Sequence, residues 1–178
     1  MIRYARFKTP LGTVLAIAAG GVITGLHFEG AKHAPAVAPE WREDPYASPL
    51  QECAQQLSDY FAGKRQCFDL PVAPQGTPFQ KRVWREIAQV PFGATISYAE
   101  LAARAGAPGS ARAAGAATGR NPLAIVVPCH RIVGTGGALT GYAGGLERKR
   151  SLLAHEGTGF GEGSPEPSRR TFPEAALA

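Results

Sequence analysis

The sequence predicts a mixed chain of the α+β (or α/β) class. A small N-terminal sheet-and-helix block is followed by a helical block with a helix-turn-helix and a reactive loop. Three observations point there. Residues 1–30 consist of β-branched and aromatic runs broken by glycine, and residues 79–156 place apolar side chains at helical spacing between capping and breaking residues. The charge also changes between the two: residues 1–78 hold seven Lys/Arg against seven Asp/Glu, whereas residues 79–156 hold ten against four.

In chain order, residues 2–7, 11–18 and 22–28 read as strands, and Gly20-Gly21 reads as a two-residue hairpin turn, because both central positions of such a turn require positive φ. Residues 30–49, with Pro35, Pro39, Pro45 and Pro49, read as a long surface connection. Leu50, Cys53, Ala54, Leu57 and Phe61 recur at helical spacing and Gly63 closes that helix, while residues 68–72 read as one more strand and 71–78 as a linker. In the second block Phe79, Val83, Ile87 and Val90 share one helical face that stops at Pro91. Ser97 and Glu100 form a capping-box signature for a short helix over 98–105, ended by Gly106. After the Ala107-Pro108-Gly109 turn, Ser110 is placed to cap another helix reaching Gly119. Two short helices about such a turn are a helix-turn-helix candidate, although an anonymous helical hairpin fits the same pattern. The second of them carries Arg112 as its one long side chain, too few to read base edges, so it is either a close-packed core helix or a thin helix that approaches a phosphate backbone. Residues 123–127 read as a buried strand after Asn121-Pro122, and residues 146–156 as the last helix.

Composition excludes several classes. With 178 residues the chain makes about one domain or a compact pair, with a core that needs no disulfide staples. No apolar run approaches the ~18 residues needed to span a bilayer, and no signal peptide is readable, so a cytoplasmic protein without membrane contact is expected. Cys53, Cys67 and Cys129 form an odd set with no CxxC pair, which fits neither a disulfide framework nor a cysteine-rich zinc site.

Pro128-Cys129-His130-Arg131 places a thiol beside an imidazole after the 123–127 run. Burial as a structural residue is the commonest fate of a cysteine. Here the Pro, His and Arg neighbours and the glycine-rich stretch 134–145, which can bring backbone close to a ligand, point to nucleophilic chemistry instead. The thiol would need a base, since a free cysteine with pKa ~8.5 is only a few per cent thiolate at neutral pH.

The stretches TISYAELA, ARAAGAATGRNPLAIVVPCHRIVG and GALTGYAGGLERKRSLLAHEG, with FAGKRQCFDLPVAPQGTPFQ upstream, resemble the O6-alkylguanine-DNA alkyltransferases. The resemblance implies a ribonuclease-H-like N-terminal domain over 1–75 and a winged-helix-like domain for DNA binding and alkyl transfer over 76–157. It implies that the protein removes the alkyl group from O6-alkylguanine, and from O4-alkylthymine, in double-stranded DNA, acting once as a monomer without a cofactor. On this resemblance Cys129 is the alkyl acceptor, His130 its base acting through a water, Glu156 the carboxylate that orients His130, and Asn121 a brace of the loop. Arg112 fills the gap left by a flipped nucleotide, Tyr98 contacts DNA and the target base, and Ala99 and Thr135 lie along the DNA. Tyr142, Ala143 and Gly144 cover the extruded guanine, with alanine at 143 where a hydroxyl-bearing residue also occurs in the family. Some members bind zinc in the N-terminal block, but only His27 and His33 stand there, with no cysteine before Cys53, so no metal is expected. Residues 158–178, rich in Gly, Pro, Ser and Glu, are expected to be a disordered tail. The competing readings are a non-catalytic lesion binder of the same fold, whose members lack the acceptor cysteine, and a thiol hydrolase or redox sensor, which would not explain the basic helical block.

Overall fold

β1 (Ile2–Thr9), β2 (Gly12–Ala19) and β3 (Val22–Phe28) pair antiparallel in the computed structural model, which describes residues 1–158. Gly20 and Gly21 carry φ of 60° and 82°, the positive values that the tight β2–β3 turn requires. The connection over 30–49 contains a strand that the sequence pattern does not reveal: β4 (Arg42–Glu43) runs parallel to β1 and completes a sheet of order β3-β2-β1-β4. Two exposed charged residues offer no apolar alternation by which such a strand could be read. α1 (Ser48–Phe61) packs on the sheet, buries Leu50, Cys53, Leu57 and Tyr60, and closes before Gly63, at φ 74°.

Residues 68–72 do not form a strand. One bridge joins Val72 to Ile23, with Ile23 N–H donating to Pro71 O at 2.7 Å and Ala73 N–H to Ile23 O at 2.9 Å. Pro71 has no N–H with which to extend the ladder. α2 (Pro78–Ala88) begins at a full capping box: Gln80 N–H donates to Thr77 Oγ1 at 3.2 Å, and Thr77 N–H donates back to Gln80 Oε1 at 2.9 Å. Gly76 precedes it because a Cβ there would run into the Trp84 ring.

β5 (Ile96–Ser97) leads into α3 (Tyr98–Arg104), and the Gly106–Gly109 turn leads into α4 (Ala111–Gly119). The capping signals hold only in part. Ser97 Oγ accepts from Glu100 N–H at 3.1 Å, but the Glu100 carboxylate pairs with Arg104 one turn on rather than returning to the cap. Ser110 occupies the N-cap of α4 with its backbone alone; its side chain makes no capping bond. Trp84 Nε1–H donates to Ala117 O at 2.8 Å and fastens α4 to α2.

The buried run 123–127 is a turn, not a strand. Leu123 makes a single bridge to Leu26, after which Val126 N–H donates to Ala124 O and Val127 N–H to Leu123 O, while Ile125 sits at φ 70°. A one-turn 3-10 helix (Cys129–Arg131) and β6 (Ile132–Val133), parallel to β5, follow. α5 (Leu146–His155) ends at Glu156 as its C-cap. One apolar core runs through both blocks, from Ala5 and Phe28 through Tyr60 and Trp84 to Leu123 and Leu152. The expected disordered tail, apart from Thr158, lies outside the described residues.

Candidate active site

Cys129 heads the 3-10 turn that follows the strained 123–127 segment, and it is 5% exposed. Asn121 holds that segment in shape. Its Nδ2–H2 donates to Val127 O at 2.8 Å and to Cys129 Sγ at 3.2 Å, and its Oδ1 accepts from Leu123 N–H at 2.9 Å. These bonds replace the strand ladder that the segment lacks and keep Ile125 in a conformation that costs a β-branched residue of order 1–3 kcal/mol. Burial pushes the Cys129 thiol up, opposed by the Asn121 hydrogen bond and the nearby Lys149 charge.

Beside the cysteine, His130 Nε2 lies 2.8 Å from Glu156 Oε1, both side chains fully buried. The carboxylate also accepts from Tyr60 Oη–H at 2.7 Å, and from Arg131 Nε–H and Nη2–H at 2.8 Å each, while Arg131 Nη1–H donates to Val90 O. Burial alone would raise the Glu156 carboxyl, but His130 and Arg131 outweigh it and hold it well below the usual carboxylate range. Burial lowers His130 below its ordinary value, against the pull of Glu156. The imidazole is therefore neutral at pH 7, and its hydrogen bond to an anion assigns the proton to Nε2. Nδ1 is left as a buried acceptor with no partner among the described residues, the atom that can receive a proton.

Cys129 lines a cavity of about 490 Å³ together with Tyr98, Tyr142, Ala143 and the thin face of α4 at Gly115 and Ala116. That volume falls within the ~300–1,000 Å³ of small-ligand sites. Gly144 stands behind the wall: a Cβ there would lie 2.8 Å from the Tyr142 ring and 3.2 Å from Phe28. The Tyr98 hydroxyl donates to Thr140 O at 3.0 Å, and burial and the neighbouring Cys129 raise its pKa, so it stays protonated. Behind it lies a group to which no sequence motif points. Lys149 is fully buried and donates to Ile132 O (2.6 Å), Gly141 O (3.1 Å) and Thr140 O (3.2 Å), with the Tyr98 oxygen at 3.5 Å. Burial lowers its pKa to about 8.

Of the residues singled out from the sequence, Cys129, His130, Glu156, Asn121, Tyr98, Tyr142 and Ala143 come together here. Arg112, Ala99 and Thr135 do not enter the cavity; they are exposed, on α4, α3 and the turn after β6. Arg131 stands in the Pro-Cys-His-Arg run, but its place on the Glu156 carboxylate was not assigned from the sequence; Tyr60 and Lys149 meet the site only through folding. No group of three or more His, Cys, Asp or Glu among the described residues is placed to hold a metal ion. None of the described helices is long and apolar enough to cross a membrane.

Fold and site together define a protein with a buried cysteine, next to a His–Glu pair and lining a cavity with residues of both the N-terminal sheet block and the helical block. Residues 78–158 match the DNA-binding domain of 6-O-methylguanine DNA methyltransferases and residues 2–74 their ribonuclease-like domain. The chain is 45% identical over 156 residues to the methylated-DNA--protein-cysteine methyltransferase of Mycolicibacterium paratuberculosis, covering 88% of this chain and 93% of that one. It is 42% identical over 155 residues to the Methanosarcina acetivorans protein of the same name, covering 87% and 98%. The crystal structure of Mycobacterium tuberculosis OGT in complex with DNA superposes with a TM-score of 0.80 at 43% identity, over 86% of this chain and 92% of that one. The chain belongs to the 6-O-methylguanine DNA methyltransferase family.

Proposed function

We propose that the protein repairs alkylated DNA by direct reversal, transferring the alkyl group from guanine O6 to its own Cys129. The observation that carries this reading is Cys129 lining a cavity of about 490 Å³, with His130, paired to Glu156, next to it in the chain and His130 Nδ1 without a partner among the described residues. His130 Nδ1 takes the thiol proton, relayed by a water, and Glu156 stabilises the imidazolium that forms. The thiolate attacks the alkyl carbon; an S–C bond forms as the C–O6 bond breaks, and the electron pair leaves with the guanine. The Tyr98 hydroxyl supplies a hydrogen bond or proton to that guanine, turning from Thr140 O, which Lys149 continues to satisfy. No group in the cavity can hydrolyse a thioether, so each molecule acts once.

A base inside a duplex cannot reach a buried cysteine, so the nucleotide must be extruded, at a cost of a few kcal/mol. Arg112 fills the space it leaves, and Ala99 and Thr135 lie along the backbone. The proposed domain division is 1–75 for the scaffold and 76–157 for DNA binding and transfer. The protein works as a monomer in the cytoplasm. Digestion of an O6-methylguanine duplex after incubation tests the function. Unmodified guanine appears with the native protein and is absent with Cys129→Ser; persistence of the lesion with both would contradict it.

A further inference from the structure

The mouth of the Cys129 cavity carries three basic residues that the chemistry above does not use: Arg120, just beyond α4, and Lys32 and His33, from the loop after β3. We propose that they clamp the phosphates flanking the extruded nucleotide, giving the N-terminal block a direct contact with DNA; this rests on the alkyl-transfer reading.

A base that enters this cavity remains joined through its sugar to two phosphates, which stay outside at the mouth. Each carries a negative charge that a cation there can neutralise, with release of a counterion. All three side chains are exposed, and among the described residues none of them is held by a carboxylate. Desolvation and repulsion by Arg120 and Lys32 hold the His33 imidazole below its ordinary value, consistent with positive charge gathered at one place without an anion. The loop is also fixed in position. Lys32 N–H donates to Ala143 O at 2.9 Å, on the cavity wall itself, and Ala34 N–H closes a turn on Ala31 O at 3.1 Å. His33 sits at φ 69°, one of two non-glycine residues at positive φ among the described residues; the other, Ile125, shapes the cysteine loop. Strained backbone of this kind persists where surrounding contacts impose it, and it gathers at sites that hold a ligand. Gly115, Ala116 and Gly119 of α4 line the same cavity with no side chain larger than a methyl group.

The test compares the native protein with Lys32→Ala/His33→Asn, asparagine being tolerant of positive φ, and with Arg120→Ala. The rate of Cys129 alkylation is followed by mass with an O6-methylguanine duplex and with free O6-methylguanine and O6-benzylguanine bases, which have no phosphate. The clamp requires the duplex rate to fall about tenfold or more at moderate salt in each variant. The log–log salt dependence should become shallower by roughly one for each phosphate no longer neutralised, with free-base rates unchanged within about twofold. Duplex rates and salt slopes equal to native would overturn it, as would an equal fall with duplex and free base, which would make the loop a cavity wall only. Failure of the native protein itself to react with the duplex would overturn the alkyl-transfer reading, and the clamp with it.

Discussion

Glu156 accepts from Tyr60, His130 and twice from Arg131, so its buried charge is distributed over four donor atoms. A carboxylate held this far below its unfolded value stabilises the fold fully above about pH 4.3, and that contribution is lost as pH falls toward the depressed value. His130 is depressed too, so it remains a neutral base at pH 7, and transfer should hold through neutrality and decline only below about pH 6.5. His130→Ala should still bind an alkylated duplex but transfer about 10²–10⁴-fold more slowly, with the acid limb removed from the pH–rate profile. An unchanged rate would take His130 out of the mechanism. Lys149→Met leaves Ile132 O without the donor it has now, at about 1–3 kcal/mol for a buried acceptor left unpaired. Its expected signature is faster amide exchange through residues 134–145 and slower transfer with duplex and free base alike.

Among the elements, α2 owes its start to a Thr77–Gln80 box that lies in the sequence as T-x-x-Q but within a stretch read as linker. Thr77→Ala should lower stability by about 0.5–2 kcal/mol in denaturant titration without altering the transfer rate. The helices and the three long strands were legible because one apolar face and a glycine or capping stop mark each of them. Residues 68–72 and 123–127 were not, because a short buried apolar run looks the same whether it is a strand or a turn. Each made a single bridge to β3, and at 121–127 the side chain of Asn121 took over the hydrogen bonds of a ladder. The Ser97–Glu100 signature was half right for a related reason: Arg104, one turn on, competes for the carboxylate.

At the scale of the molecule, the two blocks share the site rather than abut. Tyr60 of α1 reaches Glu156 across 96 residues of sequence, Arg148 of α5 donates to Leu11 O at 2.8 Å and to Gly144 O at 3.0 Å, and Lys32 is tied to Ala143. The motif residues of the site were readable because they cluster between 98 and 156. Tyr60, Lys32 and His33 were not, since only folding brings the N-terminal block to the cavity. Tyr60→Phe should cost about 1.5–3 kcal/mol, the worth of a hydrogen bond to a charged group, read from the denaturant midpoint. With one donor fewer, Glu156 binds the His130 proton more strongly, so the acid limb of transfer should move to higher pH. An unmoved limb would make Tyr60 a purely structural link.

On the proposed function Cys129 is the one acceptor of the alkyl group. The most direct measurement of this is the intact mass, with peptide mapping, of protein incubated with excess O6-methylguanine duplex. A gain of a single methyl, on Cys129, that does not increase with time is the expected result. Unmodified protein still bound to the duplex, a methyl on another residue, or repeated turnover would contradict it.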